Sequence, residues 1–412
     1  MILRGTAFVD GELRRRYIEV EDGKIVSITN SKPPFEDVID CDGVILPGGI
    51  DMHVHFRDPG MTDKEDFFTG TKSAAFGGIT TVMDMPNNQP AIDHHKHLKK
   101  KIKDAGKKSC IDFGLYGLVG NDNEKMLEQT SFFKVYMAPS TDTDGSYSPD
   151  EIGKILELGG KVAFHCEDQA LFTEPRDDLP GHNRYRPIES ELEAIKKLKE
   201  LPPGRKHVCH ATTIKSVELA RSLGCTVEVT PHHLFLSEEA LLGTLGKVNP
   251  PLRASDQQLY LWEAFERGEI DILASDHAPH LESDKDTDFL KAPSGLPGVE
   301  TMYPLLLNSV AYGNISLSTV VKALSERPAE LLELKKGRIA QGYDADFMVI
   351  DFRESENISV SRLHSKAGWS PFEGFRAIFP RHVISRGEFV VKDRVFVGEK
   401  GTGEYISGIT LI

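Results

Sequence analysis

The stretch "VILPGGIDMHVHF", Val44–Phe56, continued by "RDPG" to Gly60, decides how this chain folds. An apolar run ends in His53, His55 and Arg57 on alternate positions. In a strand, residues two apart share a face. The three side chains therefore project together where the strand stops. Two imidazoles and a guanidinium are a poor choice for packing. A metal with an anionic ligand beside it accounts for the trio, and the rest of the chain has to supply the missing donors.

Outward from this strand, residues 49–337 alternate apolar strands with amphipathic helices. The strand candidates are "GITTVMDM", "DFGLYGLV", "SFFKVYM", "KVAFHCED", "KHVCHAT", "TVEVTPHH" and "DILASDHAPH". Between them lie helical stretches such as "AIDHHKHLKKKIKDAG", "SPDEIGKILELGG", "ESELEAIKKLKEL", "TIKSVELARSLG" and "SDQQLYLWEAFERG". With the opening strand this makes eight βα-type units, which imply parallel pairing and close into a (β/α)8 TIM-like barrel. An open doubly wound sheet is the alternative, but no GxGxxG follows the first strand. Both chain ends are β-rich, with Asp-Gly hairpin signals at 10–11 and 22–23. Short hairpins alone are marginal, so residues 1–48 and 338–412 are expected to form one small β-sandwich domain. The polar segment 281–300 reads as a mobile loop on the catalytic side of the barrel.

The 412 residues, 39% hydrophobic and 27% charged, are ordinary for a globular enzyme with a large core. A net charge of −14 argues against nucleic-acid binding. Five cysteines without CxxC spacing (41, 110, 166, 209 and 225) suit a reducing cytoplasm better than a disulfide framework. The N-terminus lacks the apolar core of a signal peptide, and no run approaches the ~18 apolar residues of a membrane span. A cytoplasmic protein is expected.

Barrel enzymes carry chemistry at the C-terminal ends of their strands. There this sequence puts His53, His55, His165, His210 and Asp276, with His277 and His280 close behind, and Lys134 inside an apolar strand. Four histidines, a carboxylate and a lysine are an inventory for one or two divalent ions, Zn²⁺ above all. Duller readings compete. His94, His95 and His97 sit on a Lys-rich solvated helix, His207 reads as surface, and His232 and His233 rank below the four as ligands. Cys166 and Cys209 read as core thiols, turned by strand alternation away from His165 and His210. A buried ammonium needs a partner. Lys134 is therefore either paired with an acid such as Asp276 or converted to a carbamate, whose two oxygens can bridge two metals.

The motifs "DMHVHFRDPG", "MDMPNNQP", "FFKVYM", "FHCED", "CHATT", "VTPHHLFLS", "KVNPPLR", "ASDHAPH" and "GLPGVET", in this order, resemble the dihydroorotases of the amidohydrolase superfamily. The resemblance runs from residue 43 to about 352, through "GRIAQGYDADFMVID". It implies two Zn²⁺ ions, one on His53, His55 and Asp276 and the other on His165 and His210, bridged by carboxylated Lys134. Some relatives use an aspartate as the bridge, which makes Asp142 in "STDTDGSY" the fallback. It further implies Arg57 as reader of a substrate carboxylate, helped by Asn87 and His280, with Asn249, Pro297 and Gly298 holding the ring amide. The implied reaction is the reversible closure of N-carbamoyl-L-aspartate to dihydroorotate in pyrimidine biosynthesis, by metal-activated water with Asp276 as general acid and base. Allantoinases and hydantoinases or dihydropyrimidinases share the metal set and are the near alternatives. An inactive homologue kept as an assembly partner should have lost ligands, and none is missing here. Partners are the small-molecule substrate, with homo-oligomer formation and docking to aspartate transcarbamoylase left open.

Overall fold

The computed structural model describes residues 1–32, 38–141 and 143–408. Asp142, the fallback bridge, lies outside the described residues. Eight parallel strands form the barrel: Gly49–Val54, Ile79–Asp84, Asp112–Leu115, Phe132–Tyr136, Lys161–His165, Arg205–Val208, Thr226–Val229 and Ile272–Leu273. They are numbered first to eighth here. Each coincides with one of the apolar runs, and the helices between them include His95–Ala105, Pro149–Glu157, Ile188–Lys197, Ile214–Ser222 and Ser255–Glu266.

Ladders join the first strand to the second and the second to the third, and the fourth through to the eighth. Gly117–Leu118, just past the third strand, pairs with Phe133 and Lys134 of the fourth. A bridge between Val54 and His277 closes the ring, with the His55 N–H donating to the His277 carbonyl at 2.8 Å. Strands buried on both faces are expected to be almost wholly apolar. In the fourth, Phe133 and Val135 pack outward against the helix layer. Phe132 joins an inner cluster with Ala163, Cys209, Ile272 and Ala274. Lys134 shares the inner parity of Phe132.

Both chain ends contribute to one eight-stranded sheet. Its order runs 395–396, 388–392, 382–385, 347–350, 38–47, 2–9, 12–21 and 24–29. Val38–Pro47 lies between a strand from each end, parallel to Ile2–Val9 and antiparallel to Phe347–Ile350. It then runs directly into the first barrel strand. The Asp10-Gly11 and Asp22-Gly23 turns have positive φ at both residues (51° and 81°, 47° and 74°), as two-residue hairpins require. The sheet folds over on itself, so that Ile25 N donates to the Tyr343 carbonyl at 2.9 Å and Leu3, Ile18, Ile45, Phe347 and Ile384 share one core.

The tail departs from the division at residue 338. Tyr405–Ile406 leaves the small domain and pairs in parallel with Phe113 and Gly114 of the third barrel strand. The Ser131 N–H, just before the fourth strand, donates to the Ser407 carbonyl at 2.9 Å. The tail thus fills the gap between the third and fourth strands. Glycine is needed on the way in: a Cβ on Gly403 would fall 1.8 Å from the Ile111 carbonyl oxygen.

Candidate metal centre

The ligand-type side chains sit at or just beyond strand ends. His53 is in the first strand, His165 ends the fifth, His210 lies two residues past the sixth and Asp276 three past the eighth. Arg57, His210 and Asp276 hold left-handed backbone, with φ of 60°, 37° and 46°. Such strain costs roughly 1–3 kcal/mol per residue and clusters at functional sites. At His210 it changes which way the chain faces. Val208 packs outward, so strict alternation would send residue 210 outward and 209 inward. The left-handed turn brings His210 in as well. Cys209 therefore corrects the sequence expectation: it is a core thiol, but it faces the barrel interior, with Sγ 2.9 Å from Lys134 Nζ. Cys166 packs in the outer layer as expected.

His53, His210 and Asp276 each bring one ligand atom within 4.8 Å of the others. Asp276 Oδ1 lies 3.1 Å from His55 Nε2 and 3.3 Å from His53 Nε2. The outer nitrogens of these rings are already committed. His55 Nδ1 is 2.6 Å from Asn87 Oδ1, and the Asn87 amide is oriented by its Nδ2 donating to the Thr141 carbonyl at 3.2 Å. His53 Nδ1 is 2.5 Å from Glu228 Oε1. Both partners accept, so both Nδ1 atoms carry a proton. Burial lowers the His55 pKa to about 3, which keeps that ring neutral. Its Nε2 therefore points a lone pair at an Asp276 carboxylate oxygen, and a cation between the two acceptors would satisfy both.

The other half repeats the logic. His165 Nε2 is 2.7 Å from Glu167 Oε2, itself 2.5 Å from the Arg186 guanidinium. His165 Nδ1 consequently carries a lone pair, and it lies 3.0 Å from His210 Nε2. The donor set fits a divalent metal, with Glu228 and Glu167 behind His53 and His165 and the Asn87 amide behind His55 orienting the rings in the way metal-bound histidines need.

Lys134 is fully buried, and its Nζ has Cys209 Sγ at 2.9 Å and the Tyr136 ring centroid at 5.3 Å. No carboxylate among the described residues lies within ion-pair distance, so the suggested pairing with Asp276 is not made. Burial raises the Cys209 pKa, so the thiol stays neutral and cannot act as the counter-ion.

One pocket is lined by His53, His55, Arg57, Asn87, His165, His210, Asn249 and Asp276, together with Ser294 and Gly295. Asn249 Oδ1 is held by His182 Nε2 at 2.9 Å. His280 is buried behind Arg57 and off the pocket wall. Its Nε2 is 3.3 Å from Arg57 Nη2, and its Nδ1 is 3.2 Å from Lys64 Nζ. Pro297 and Gly298 line a neighbouring cavity with His277 and Trp369 instead. The reason is pairing: Leu296 bridges to His277, and the Gly298 N–H donates to His277 Nδ1 at 3.1 Å. Ser294 and Gly295 take the positions expected of that segment.

His207 also corrects its expectation. It is buried, with Nε2 2.9 Å from Glu228 Oε2. Glu228 thus links His53 to His207, and its Oε1 also accepts from the His210 N–H at 3.2 Å. Burial pushes its pKa up, but His53 and His207 outweigh burial and hold it below the usual carboxylate range. Glu228→Gln is expected to weaken metal affinity by about 10–100-fold. Competition with a chelator measures this, and an unchanged dissociation constant would show that Glu228 does not position His53.

A sequence model of the Amidohydrolase family matches residues 44–390. A dihydroorotase of Methanosarcina acetivorans is 40% identical, over 97% of this chain and 94% of its own. A dihydroorotase of Thermoplasma acidophilum is 42% identical, over 94% and 93%. The structure is similar to that of an L-hydantoinase (dihydropyrimidinase) from Arthrobacter aurescens, with a TM-score of 0.92 at 30% identity, covering 98% of this chain and 99% of that one. A family match over most of the length, on a barrel whose strand ends carry its metal-ligand types, settles the kinship: the chain belongs to the Amidohydrolase family.

Proposed function

We propose that the protein is a dihydroorotase, closing N-carbamoyl-L-aspartate to (S)-dihydroorotate and water and opening the ring on the same groups. The observation that carries this reading is Arg57. A buried guanidinium lines the pocket two residues from His55, beside the candidate metal centre. It suits a planar carboxylate next to the reacting amide. The dihydroorotases among its relatives support the same reading.

His53, His55 and Asp276 would hold one Zn²⁺, and His165 and His210 a second, with carboxylated Lys134 between them. Once its ammonium has lost a proton, the Lys134 amine adds to CO₂ and releases a second proton, which puts an anion where a buried cation would have no carboxylate beside it. Bound metals supply polarisation of the amide carbonyl and a lowered pKa for water. Arg57 fixes the substrate carboxylate and so orients the ring. Asn249, its Oδ1 tied to His182, turns its amide nitrogen to the second ring carbonyl. Asp276 takes the proton of the attacking water and delivers it to the leaving nitrogen.

The likeness to an L-hydantoinase favours one other reading, a hydantoinase-type activity. Hydantoins lack the ring carboxylate and give Arg57 nothing to bind. Assays with dihydroorotate, hydantoin and allantoin discriminate between the two. Turnover of dihydroorotate is expected, and turnover of only the other two would sink the assignment. Arg57→Met is expected to lower kcat/KM for dihydroorotate by about 10²-fold, the scale of a lost buried charge pair. Any residual hydantoin activity should be unchanged.

A further inference from the structure

The segment after the eighth strand reads as a mobile polar loop in sequence, yet two buried lysines fasten it. Lys285 is 1% exposed and Lys247 9%. Neither has a carboxylate within ion-pair distance among the described residues, and both spend their donors on backbone carbonyls. Lys247 Nζ donates to Phe289 O at 2.7 Å, Leu290 O at 3.2 Å and Ala292 O at 2.8 Å, all across the gap. Lys285 Nζ donates back to Thr244 O at 3.3 Å and Lys247 O at 3.2 Å, and to Pro293 O of its own segment at 2.8 Å.

Burying two ammoniums is expensive unless every donor is satisfied. A salt bridge to surface acids would have joined these segments at lower cost. What the lysines achieve is a fixed distance between two stretches of main chain that both end at the pocket. Val248 and Asn249 follow Lys247 onto one rim, while Ser294 and Gly295 follow Pro293 onto the other. The Gly295 N–H donates to the Lys247 carbonyl at 3.0 Å, and Thr141 Oγ1 donates to Ser294 O at 2.9 Å.

We propose that Lys247 and Lys285 are positioning residues, a reciprocal buckle between segments 243–249 and 282–296 that sets the two rims closing on the substrate ring. The inference rests on this pocket being the substrate site. An ammonium suits the task because three carbonyls converge on each Nζ, which no neutral side chain serves with three donors.

The test uses hydrogen exchange and steady-state kinetics on the full-length metal-loaded enzyme. In the unmodified protein, amides of 286–296 should exchange more slowly than those of the exposed 174–178 loop. Lys247→Met and Lys285→Met should each speed that exchange by about tenfold or more. They should also raise KM for dihydroorotate about tenfold, with kcat changed less than about threefold, the pattern of lost substrate binding. Exchange in the unmodified enzyme as fast as in 174–178 would overturn the buckle, whether or not the variants fold. So would variants with unchanged exchange and KM. If dihydroorotate is not turned over at all, the substrate assignment falls, and the exchange arm still decides the buckle.

Discussion

Asp276→Asn is expected to lower kcat for dihydroorotate by roughly 10³–10⁴-fold, at the upper end of what a general acid–base group contributes. Two losses combine. The amide cannot accept and return the proton. Its N–H₂ can also turn toward the lone pair of His55 Nε2, which now faces the carboxylate at 3.1 Å. A hydrogen bond then fills a space that otherwise calls for a cation, so bound metal should fall along with the rate. Activity and metal content measured on the same preparation separate the two effects. Retention of more than a tenth of the activity would remove Asp276 from the chemistry.

Lys336→Met is expected to cost about 3–5 kcal/mol of stability, the scale for removing one partner of a buried ionic cluster. Lys336 Nζ lies 2.6 Å from Asp112, 2.7 Å from Asp346 and 3.0 Å from Asp344. Asp112 opens the third barrel strand, while Asp344 and Asp346 lead into Phe347–Ile350 of the small domain, so this ammonium, with Arg386 beside Asp112, ties the barrel to the small domain. Burial pulls its pKa down, but the carboxylates more than reverse this and hold it above the ordinary lysine value. Without it, Asp112 would keep Arg386 and Asp344 would keep Lys24, but the buried Asp346 would lose its only ion-pair partner among the described residues. Domains are stable by only about 5–15 kcal/mol, so the denaturation midpoint should fall sharply. Adding Asp112→Asn and Asp346→Asn should restore part of the loss. A midpoint shift worth less than about 1 kcal/mol would show that the cluster is not a clamp.

The barrel was legible because its strands obey one rule: short apolar runs between amphipathic helices. The candidate ligands stand out in the sequence because histidines and a carboxylate have no packing reason to end such runs. Alternation failed at Cys209 and His210, where a left-handed residue breaks the period of two, and backbone strain leaves no mark on composition. Glu228 carries the same signal as Lys134, a lone charge in a buried apolar strand, Thr226–Val229. His207 reads as surface because nothing in the local sequence shows that Glu228, on the next strand, satisfies its ring inside the barrel. The loop at 281–300 looked mobile because polarity suggests solvent, whereas Lys247 and Lys285 are turned inward onto carbonyls. Pro297 and Gly298 were carried over from the family motif, and only strand pairing with His277 shows that they sit one cavity away.

The most direct test of the central claim is a crystal of the metal-loaded enzyme soaked with dihydroorotate, with anomalous data collected at the zinc edge. Two anomalous peaks are predicted, one on His53, His55 and Asp276 and one on His165 and His210. Density for a carboxylate on Lys134 Nζ should lie between them, with the substrate carboxylate on Arg57. A bare lysine with Asp142 on the metal would contradict the bridge. No metal at these residues, or a substrate carboxylate remote from Arg57, would contradict the account itself.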